Sequence, residues 1–328
     1  MRVLRTLCLL VALGGASFTA SAHHGIVGVG ATALEGPGAP VESASSAVLP
    51  EGKTLVYAKL DHAKFKTYDP VQPESDVSQF WMLGIGHGFT SWFSAYLFAP
   101  YNVKKDEPGG LDSRGWADLS YLGQIGFKYD NGFKLVAANE SLDDMEDWHF
   151  TVFGGGTLPT GSANHRLSDG SIDPSKSLGF GRPSYMLGLT ATRQLSRNLT
   201  FNTELSTMRF QKYTYSDGNS MRFGAETRLN GSLSRRLYTH AEMRLRVDGV
   251  IETQYLTIGR DIENGASVAA SGGRMLYLLP GLRFYKGNTS VAIGLKKAVW
   301  KRLNESGLQQ GSEGKEKYRF LVSCSALF

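Results

Sequence analysis

The stretch Lys317–Phe328, "KYRFLVSCSALF", carries an apolar side chain at every second position. Those positions are Tyr318, Phe320, Val322, Cys324, Ala326 and Phe328. Successive side chains of a β-strand point to opposite faces, so this spacing predicts a strand with one continuous apolar face. The fold depends on whether a protein core or a lipid bilayer lies against that face.

The N-terminal end has the three parts of a secretory signal peptide. Arg2 and Arg5 precede an apolar run over 7–18, and Ala20-Ser21-Ala22 follows it. The run is shorter than the roughly 20 apolar residues that a helix needs to cross a bilayer. We therefore predict that residues 1–22 are cleaved and that the mature chain is exported.

Charge and cysteine content exclude several classes of protein. Cleavage removes two of the 35 basic residues and none of the 30 acidic ones, so 33 against 30 leaves a net charge of about +3. No nucleic-acid-binding module is recognisable, and we expect no nucleic-acid partner. Only Cys324 remains of the two cysteines, which rules out an intramolecular disulfide. No helix-spanning apolar stretch remains to suggest a helical membrane protein.

Period-2 segments of about 10 to 14 residues recur after residue 52, separated by Gly, Asn, Asp and Pro clusters. In the segment 237–250, for example, odd-numbered positions are mostly apolar and even-numbered positions are mostly charged. We predict twelve strands, at 53–66, 77–87, 90–101, 115–128, 146–159, 182–195, 198–211, 219–232, 237–250, 272–285, 288–301 and 315–328.

The connections between these segments alternate between long polar stretches, such as "KKDEPGGLDSR", and links of a few residues, such as "KG". Long extracellular loops and short periplasmic turns are typical of up-and-down outer-membrane barrels, whereas alternation alone would also fit a soluble sandwich. In hydrocarbon a sheet must close so that no backbone group is left unpaired. We therefore predict an all-β fold, a closed antiparallel transmembrane β-barrel of about twelve strands, with ten to fourteen compatible, over residues 53–328.

Two connections fit this topology poorly. The one over 129–145 is long where a short turn is expected. The link between the seventh and eighth segments is short where a long loop is expected. Strand extensions beyond the membrane or a miscount by one hairpin would each explain them.

The apolar face of the stretch Lys317–Phe328 is then the lipid-facing side of the last strand, and its aromatic residues suit the interfacial girdles of such barrels. An apolar strand that ends in Phe also resembles the signal by which outer-membrane barrels are recognised for assembly. We assign this signal to Tyr318, Phe320 and Phe328, with the barrel assembly machinery and outer-membrane lipid as partners.

Three motifs between about residues 89 and 166 resemble the outer-membrane proteins grouped as the MetA-pathway of phenol degradation family. A strand "TSWFSAYLFAPY" runs into a Pro, a later strand starts with Gly115-Trp116-Ala117-Asp118-Leu119, and another ends with Leu158-Pro159-Thr160-Gly161. The resemblance implies an outer-membrane barrel that passes small molecules, some of them aromatic or hydrophobic. It implies no catalytic site.

Alternation also predicts which charged side chains face the lumen, because an Arg or Lys on the lipid face near the midplane would cost about 2 to 4 kcal/mol. Basic groups outnumber acidic ones in this set. A positive wall that favours anionic or polar solutes and a ladder of ion pairs that fills the interior are equally compatible with it. The lumen candidates are Arg222, Glu226, Arg228, His240, Glu242, Arg244, Arg246, Arg283, Lys296 and Arg319.

The leader over residues 23–52 is rich in Gly, Ala, Pro and Ser and has no sustained periodicity. It is irregular and long enough to enter the barrel. About eight strands are filled by their own side chains and 16 to 18 leave an open pore, so a twelve-stranded lumen could hold such a segment. We predict a lumen plug, with a disordered periplasmic tail as the alternative.

Two further groups of residues could carry chemistry. His23 and His24 at the mature N-terminus are weak candidates for copper or zinc. Asp143, Asp144, Glu146, Asp147 and His149 could form the acid/base set of a hydrolase, but a solvated turn is the simpler interpretation. No nucleophile elbow or phosphate-binding loop is present, so we expect no enzyme activity and no cofactor.

These observations predict a monomeric channel or transporter for small solutes in the outer membrane. A closed barrel that binds partners through loops near 162–181 and 251–271 is the alternative. An outer-membrane hydrolase is a weaker one.

Overall fold

The computed structural model describes residues 38–65, 74–107, 112–137, 146–309 and 313–328. The predicted signal peptide, His23, His24, Asp143 and Asp144 lie outside these residues. In the described part of the chain, no helix has the length and apolarity that crossing a membrane requires.

The described residues form eighteen β-strands, most of which alternate between buried and exposed side chains. In chain order they are β1 (Thr54–Phe65), β2 (Glu74–Thr90), β3 (Phe93–Glu107), β4 (Ser113–Trp116), β5 (Leu119–Tyr129), β6 (Phe133–Leu135), β7 (Trp148–Leu158), β8 (Ser184–Ser196), β9 (Leu199–Arg209), β10 (Tyr213–Thr214), β11 (Ser220–Arg222), β12 (Glu226–His240), β13 (Leu245–Ile258), β14 (Ile262–Glu263), β15 (Ala266–Ser267), β16 (Gly273–Lys286), β17 (Thr289–Leu303) and β18 (Glu316–Leu327).

The main sheet closes into an antiparallel barrel of twelve spanning strands, as predicted. Each spanning strand pairs with its neighbours in the chain, and β18 pairs with β1 to complete the ring. β4 and β5 both pair with β3 and together make one spanning strand, interrupted at Ala117 and Asp118. Closure leaves no free strand edge within the ring, which is the condition for a sheet in hydrocarbon.

The alternation of connections is also confirmed. Two residues join β2 to β3, β8 to β9 and β16 to β17, and both described ends of the barrel chain lie on this short-turn side. There, the backbone N–H of Thr54 donates to the carbonyl of Phe328, and the N–H of Phe328 donates to the carbonyl of Thr54. The short-turn end of such a barrel is periplasmic.

Two predicted strand positions are wrong. The segments 219–232 and 237–250 correspond to β12 and β13, which begin seven and eight residues later. The loop between β9 and β12 is therefore long, and the turn Ala241–Arg244 is short, which removes one of the two misfits. The second misfit, the long connection between β5 and β7, is present in the structure: after β5 the chain turns back in β6 before it reaches β7.

The outer face of the barrel is apolar and has aromatic residues near both ends, which matches the lipid-facing band and interfacial girdles of membrane barrels. Tyr255 and Trp300 stack near the extracellular end, with ring centroids 6.3 Å apart. Phe133 and Tyr129 pack together near the periplasmic end. Tyr318, Phe320 and Phe328 of the opening stretch lie at outward positions of the β18 pattern.

Candidate lumen and the segment inside it

The inner face of the barrel carries the buried half of each alternating strand, and much of that half is polar or charged. Among the barrel-strand side chains that the structure describes, six buried ones are basic and six buried ones are acidic. The basic ones are Lys59, Lys104, Arg228, Arg283, Lys296 and Arg319. The acidic ones are Asp61, Glu204, Glu226, Asp248, Glu252 and Glu316. The described strands therefore do not show the predicted excess of basic groups, because five of these six acidic residues, all except Glu226, were absent from the predicted set.

Half of the predicted lumen residues occupy the buried inner face, and one more is close to it. The buried ones are Glu226, Arg228, Arg283, Lys296 and Arg319. Arg246 is half-buried at the start of β13 and forms an ion pair of 2.6 Å with Asp248.

The other four predicted lumen residues lie elsewhere. Arg222 is exposed in β11, outside the spanning strands. Glu242 and Arg244 are exposed in the turn between β12 and β13, and His240 is half-buried just before that turn. All four residues lie in the predicted segments 219–232 and 237–250, whose strands begin later in the structure than predicted.

The inner charges pair with one another, which is the ion-pair alternative of the sequence analysis. Arg319 contacts three carboxylates, those of Asp61 at 3.2 Å, Glu313 at 2.6 Å and Glu316 at 2.8 Å. Burial raises the pKa of the Glu313 carboxyl, but the positive charges of Arg319 and Lys296 outweigh this and hold the pKa well below its usual range. Glu313 belongs to the connection between β17 and β18, so this pair attaches that loop to the barrel wall.

Residues 38–49 are buried inside the barrel, and one carboxylate binds three successive residues of this segment. Glu252 of β13 accepts hydrogen bonds from the backbone N–H groups of Val41, Glu42 and Ser43, and from the Ser43 hydroxyl at 2.9 Å. Three successive donors on one carboxylate form a charge-assisted cradle. Glu252 was not among the predicted lumen residues, although it occupies an even position in an alternating strand, as Arg246 does.

Other bonds to this segment come from strands all around the barrel. Glu204 of β9 accepts from the N–H of Ala44 at 2.8 Å, and Thr192 of β8 accepts from the N–H of Ser46 at 2.8 Å. Lys296 of β17 forms an ion pair of 2.8 Å with Glu42. Gln124 of β5 donates to the carbonyl of Ala47 at 2.8 Å, and Arg283 of β16 donates to the carbonyl of Pro40.

The inner wall has an apolar sector as well as the charged one. It is formed by buried aromatic, Met and Leu side chains on β1, β2, β3, β5, β7, β8 and β9. The ring of Phe153 lies against Gly188 of the next strand, where an added Cβ would come within 2.2 Å of it. The members on these strands are Leu55, Tyr57, Phe80, Met82, Tyr96, Phe98, Leu122, Phe153, Met186 and Met208.

The extracellular end of the apolar sector is covered by loops. β10, β11, β14 and β15 form a small sheet from the loops after β9 and β13. Phe180, Phe210 and Phe223 pack against one another with centroids 4.8 to 6.0 Å apart. Asp118 accepts backbone N–H bonds of 2.8 Å from Gly161 and from Phe180, which holds both ends of the loop after β7 against the barrel rim.

The residues considered for a hydrolase do not form a described acid/base set. Glu146 and Asp147 are exposed just before β7. His149 faces the interior, and its Nδ1 lies 3.1 Å from the backbone carbonyl of Asp147. Across the described ranges, no group of three His, Cys, Asp or Glu side chains could hold a metal ion.

The sequence matches no protein-family model and no curated protein. An outer membrane channel from Pseudomonas putida F1 has a similar structure, with a TM-score of 0.65, 13% identity, and coverage of 86% of this chain and 98% of that one. The β domain of the Bordetella autotransporter BrkA has a TM-score of 0.44 at 11% identity, with coverage of 85% and 100%. The TodX monoaromatic hydrocarbon channel has a TM-score of 0.43 at 11% identity, with coverage of 92% and 99%. The first match places the fold in the class of outer-membrane β-barrels, and the other two are too distant to add to this.

Proposed function

We propose that this protein is an outer-membrane channel for small solutes, and that residues 38–49 plug its lumen. The main support is the bonding of the segment, which rests on polar side chains of the wall such as Glu252, Glu204 and Thr192. If the segment left, these groups could be hydrated by water instead. The likeness to an outer membrane channel supports the same function.

Conductance in planar bilayers tests this proposal, with the full mature chain compared with a form that lacks residues 23–49. We expect little current through the full chain and steady current through the shortened one. Heat-dependent gel mobility checks that the shortened form is folded. An absence of current through both folded forms, together with no solute uptake in liposomes, would contradict a channel.

We further propose that the solute is aromatic or otherwise hydrophobic. The apolar sector gives such a solute a wall of rings and thioethers on one side of the plug, where Phe98, Phe153 and Met186 are buried. The paired charges on the other side leave no net positive field for an anion. The same solute class is what the motif resemblance to the phenol-degradation family implies, although no family model matches the chain.

Uptake by cells that make the protein tests the solute class. We expect faster uptake of a labelled aromatic hydrocarbon and no change for a labelled small saccharide. Phe153→Ser should reduce the aromatic uptake, whereas Val152→Ser, on the outward face of the same strand, should not. Faster saccharide uptake without faster aromatic uptake would contradict this solute class.

A closed barrel that binds a partner through its loops is the second candidate, and the small extracellular sheet favours it. The loops concerned are 159–183 and 259–272; residues 251–258 of the predicted second loop belong to β13. The conductance experiment separates the two functions, since only a channel gains current when the segment is removed.

We propose that the chain is exported through a cleaved signal peptide, is inserted by the barrel assembly machinery, and acts as a monomer. The outward positions of Tyr318, Phe320 and Phe328 support recognition during assembly. Phe328→Ser should reduce the amount of assembled barrel, whereas Ser325→Ala on the inner face should not. Equal assembly of both variants would remove the proposed signal.

A further inference from the structure

The outward faces of β16, β17 and β18 carry three exposed basic residues near their extracellular ends: Arg274, Arg302 and Lys317, here called the basic patch. No acidic side chain lies on these outward strand faces; the exposed Glu305 follows in the loop after β17. β16 and β17 contain no Asp or Glu, and Glu316, the single one in β18, is buried on the inner face.

Within the basic patch, two like charges face each other directly. Arg274 of β16 pairs with Arg302 of β17 in the strand register. Side chains directly opposite in an antiparallel pair have their Cβ atoms about 4.5–5.5 Å apart, and like charges there are destabilising. Neither Arg makes a hydrogen bond or ion pair with any residue that the structure describes.

The position of this pair relative to the membrane indicates what could lie between the two charges. Leu276 and Trp300 are paired two residues closer to the barrel centre, and Trp300 stacks on Tyr255 in the extracellular girdle. Two residues of strand correspond to about 7 Å. The Arg pair therefore lies just beyond the girdle, at the level of the outer-leaflet headgroups.

We propose that the basic patch is a binding site for a phosphorylated glycolipid of the outer leaflet. A phosphate between Arg274 and Arg302 would accept charge-assisted hydrogen bonds from both guanidinium groups and would remove their mutual repulsion. Lys297 pairs with Leu278 near the middle of β17, about 17 Å along the strand from Arg302, and is therefore not part of the phosphate site. The acyl chains of the same lipid would lie against the exposed apolar surface below, including Leu278 and Leu295.

Native mass spectrometry of the full mature chain in neutral detergent tests this site, with bisphosphorylated lipid A and dephosphorylated lipid A as probes. We expect the wild-type protein to bind the phosphorylated form more tightly. The double variant Arg274→Gln/Arg302→Gln should bind it at least about tenfold more weakly, since the loss of one charge-assisted hydrogen bond has roughly that effect. Arg274→Lys/Arg302→Lys should keep most of the affinity.

The matched control removes two exposed positive charges at the other end of the barrel, in the double variant Arg235→Gln/Lys286→Gln. It should bind as tightly as the wild-type protein. Inorganic phosphate at the same concentration should not displace the lipid. Equal binding of both lipid forms, an equal loss in the control, or displacement by inorganic phosphate would each overturn the proposal.

Discussion

Glu252 shows how a single residue can position a segment that is distant in sequence. Its carboxylate receives three successive backbone N–H groups from residues more than 200 positions away. Alternation could have predicted that Glu252 faces inward. It could not have predicted the partner, because the leader has no periodic pattern and its conformation depends on side chains of six different strands.

Glu252→Gln should loosen the proposed plug. The amide replaces one acceptor oxygen with a donor that faces backbone donors, which leaves buried groups unsatisfied at a cost of about 1–3 kcal/mol. We expect more frequent opening in single-channel recordings. Thr253→Ala, on the outward face of the same strand, should behave as the wild-type protein does. Unchanged opening in Glu252→Gln would show that the cradle does not control the plug.

At the scale of elements, the positions of β12 and β13 were the main error, and the cause is local. The turn Ala241–Arg244 contains no Gly, Pro or Asn, so no turn signal marks it, and the Asp-Gly dipeptide at 248–249 lies inside β13 instead. The residue with left-handed backbone conformation is Arg244, with φ 48°. Sequence patterns locate turns through residues that favour this conformation, such as Gly and Asn, and Arg does not favour it.

Arg244→Gly should stabilise the barrel, because a residue with a Cβ pays roughly 1–2 kcal/mol in the left-handed region and Gly does not. We expect the free energy of unfolding in urea, measured in lipid vesicles, to rise by up to about 1 kcal/mol once the greater entropy of unfolded Gly is included. Arg244→Ala keeps the Cβ and should give no such gain. A destabilised Arg244→Gly would mean that the guanidinium makes a stabilising contact of its own.

For the whole molecule, sequence periodicity and loop lengths correctly predict the closed barrel and its alternation of long and short connections. Both follow from constraints that apply to every strand: alternate faces meet lipid and lumen, and all spanning strands must pair. The interior was harder to predict. Asp61, Glu204 and Asp248 balance the basic residues there, and that balance depends on which strands meet across the lumen.

Leu205→Arg tests the membrane position of the barrel. Leu205 lies near the middle of β9 and is 43% exposed on the outward face. The substitution should lower the free energy of unfolding in vesicles by about 2–4 kcal/mol, because the charge would lie near the bilayer midplane. Leu237→Arg, closer to the periplasmic end, should cost about 0–1 kcal/mol. Equal costs at both positions would contradict this depth assignment.

The segment inside the barrel has both of its described ends on the periplasmic side. Gly38 contacts Thr200 at the start of β9, and the N–H of Gly52 donates to the carbonyl of Gly88 near the end of β2. The chain thus makes a U-shaped excursion and does not thread from one opening to the other. A force applied from the periplasm could withdraw the segment without breaking any hydrogen bond between the barrel strands. The mechanical work of opening would then be confined to the bonds between the segment and the wall.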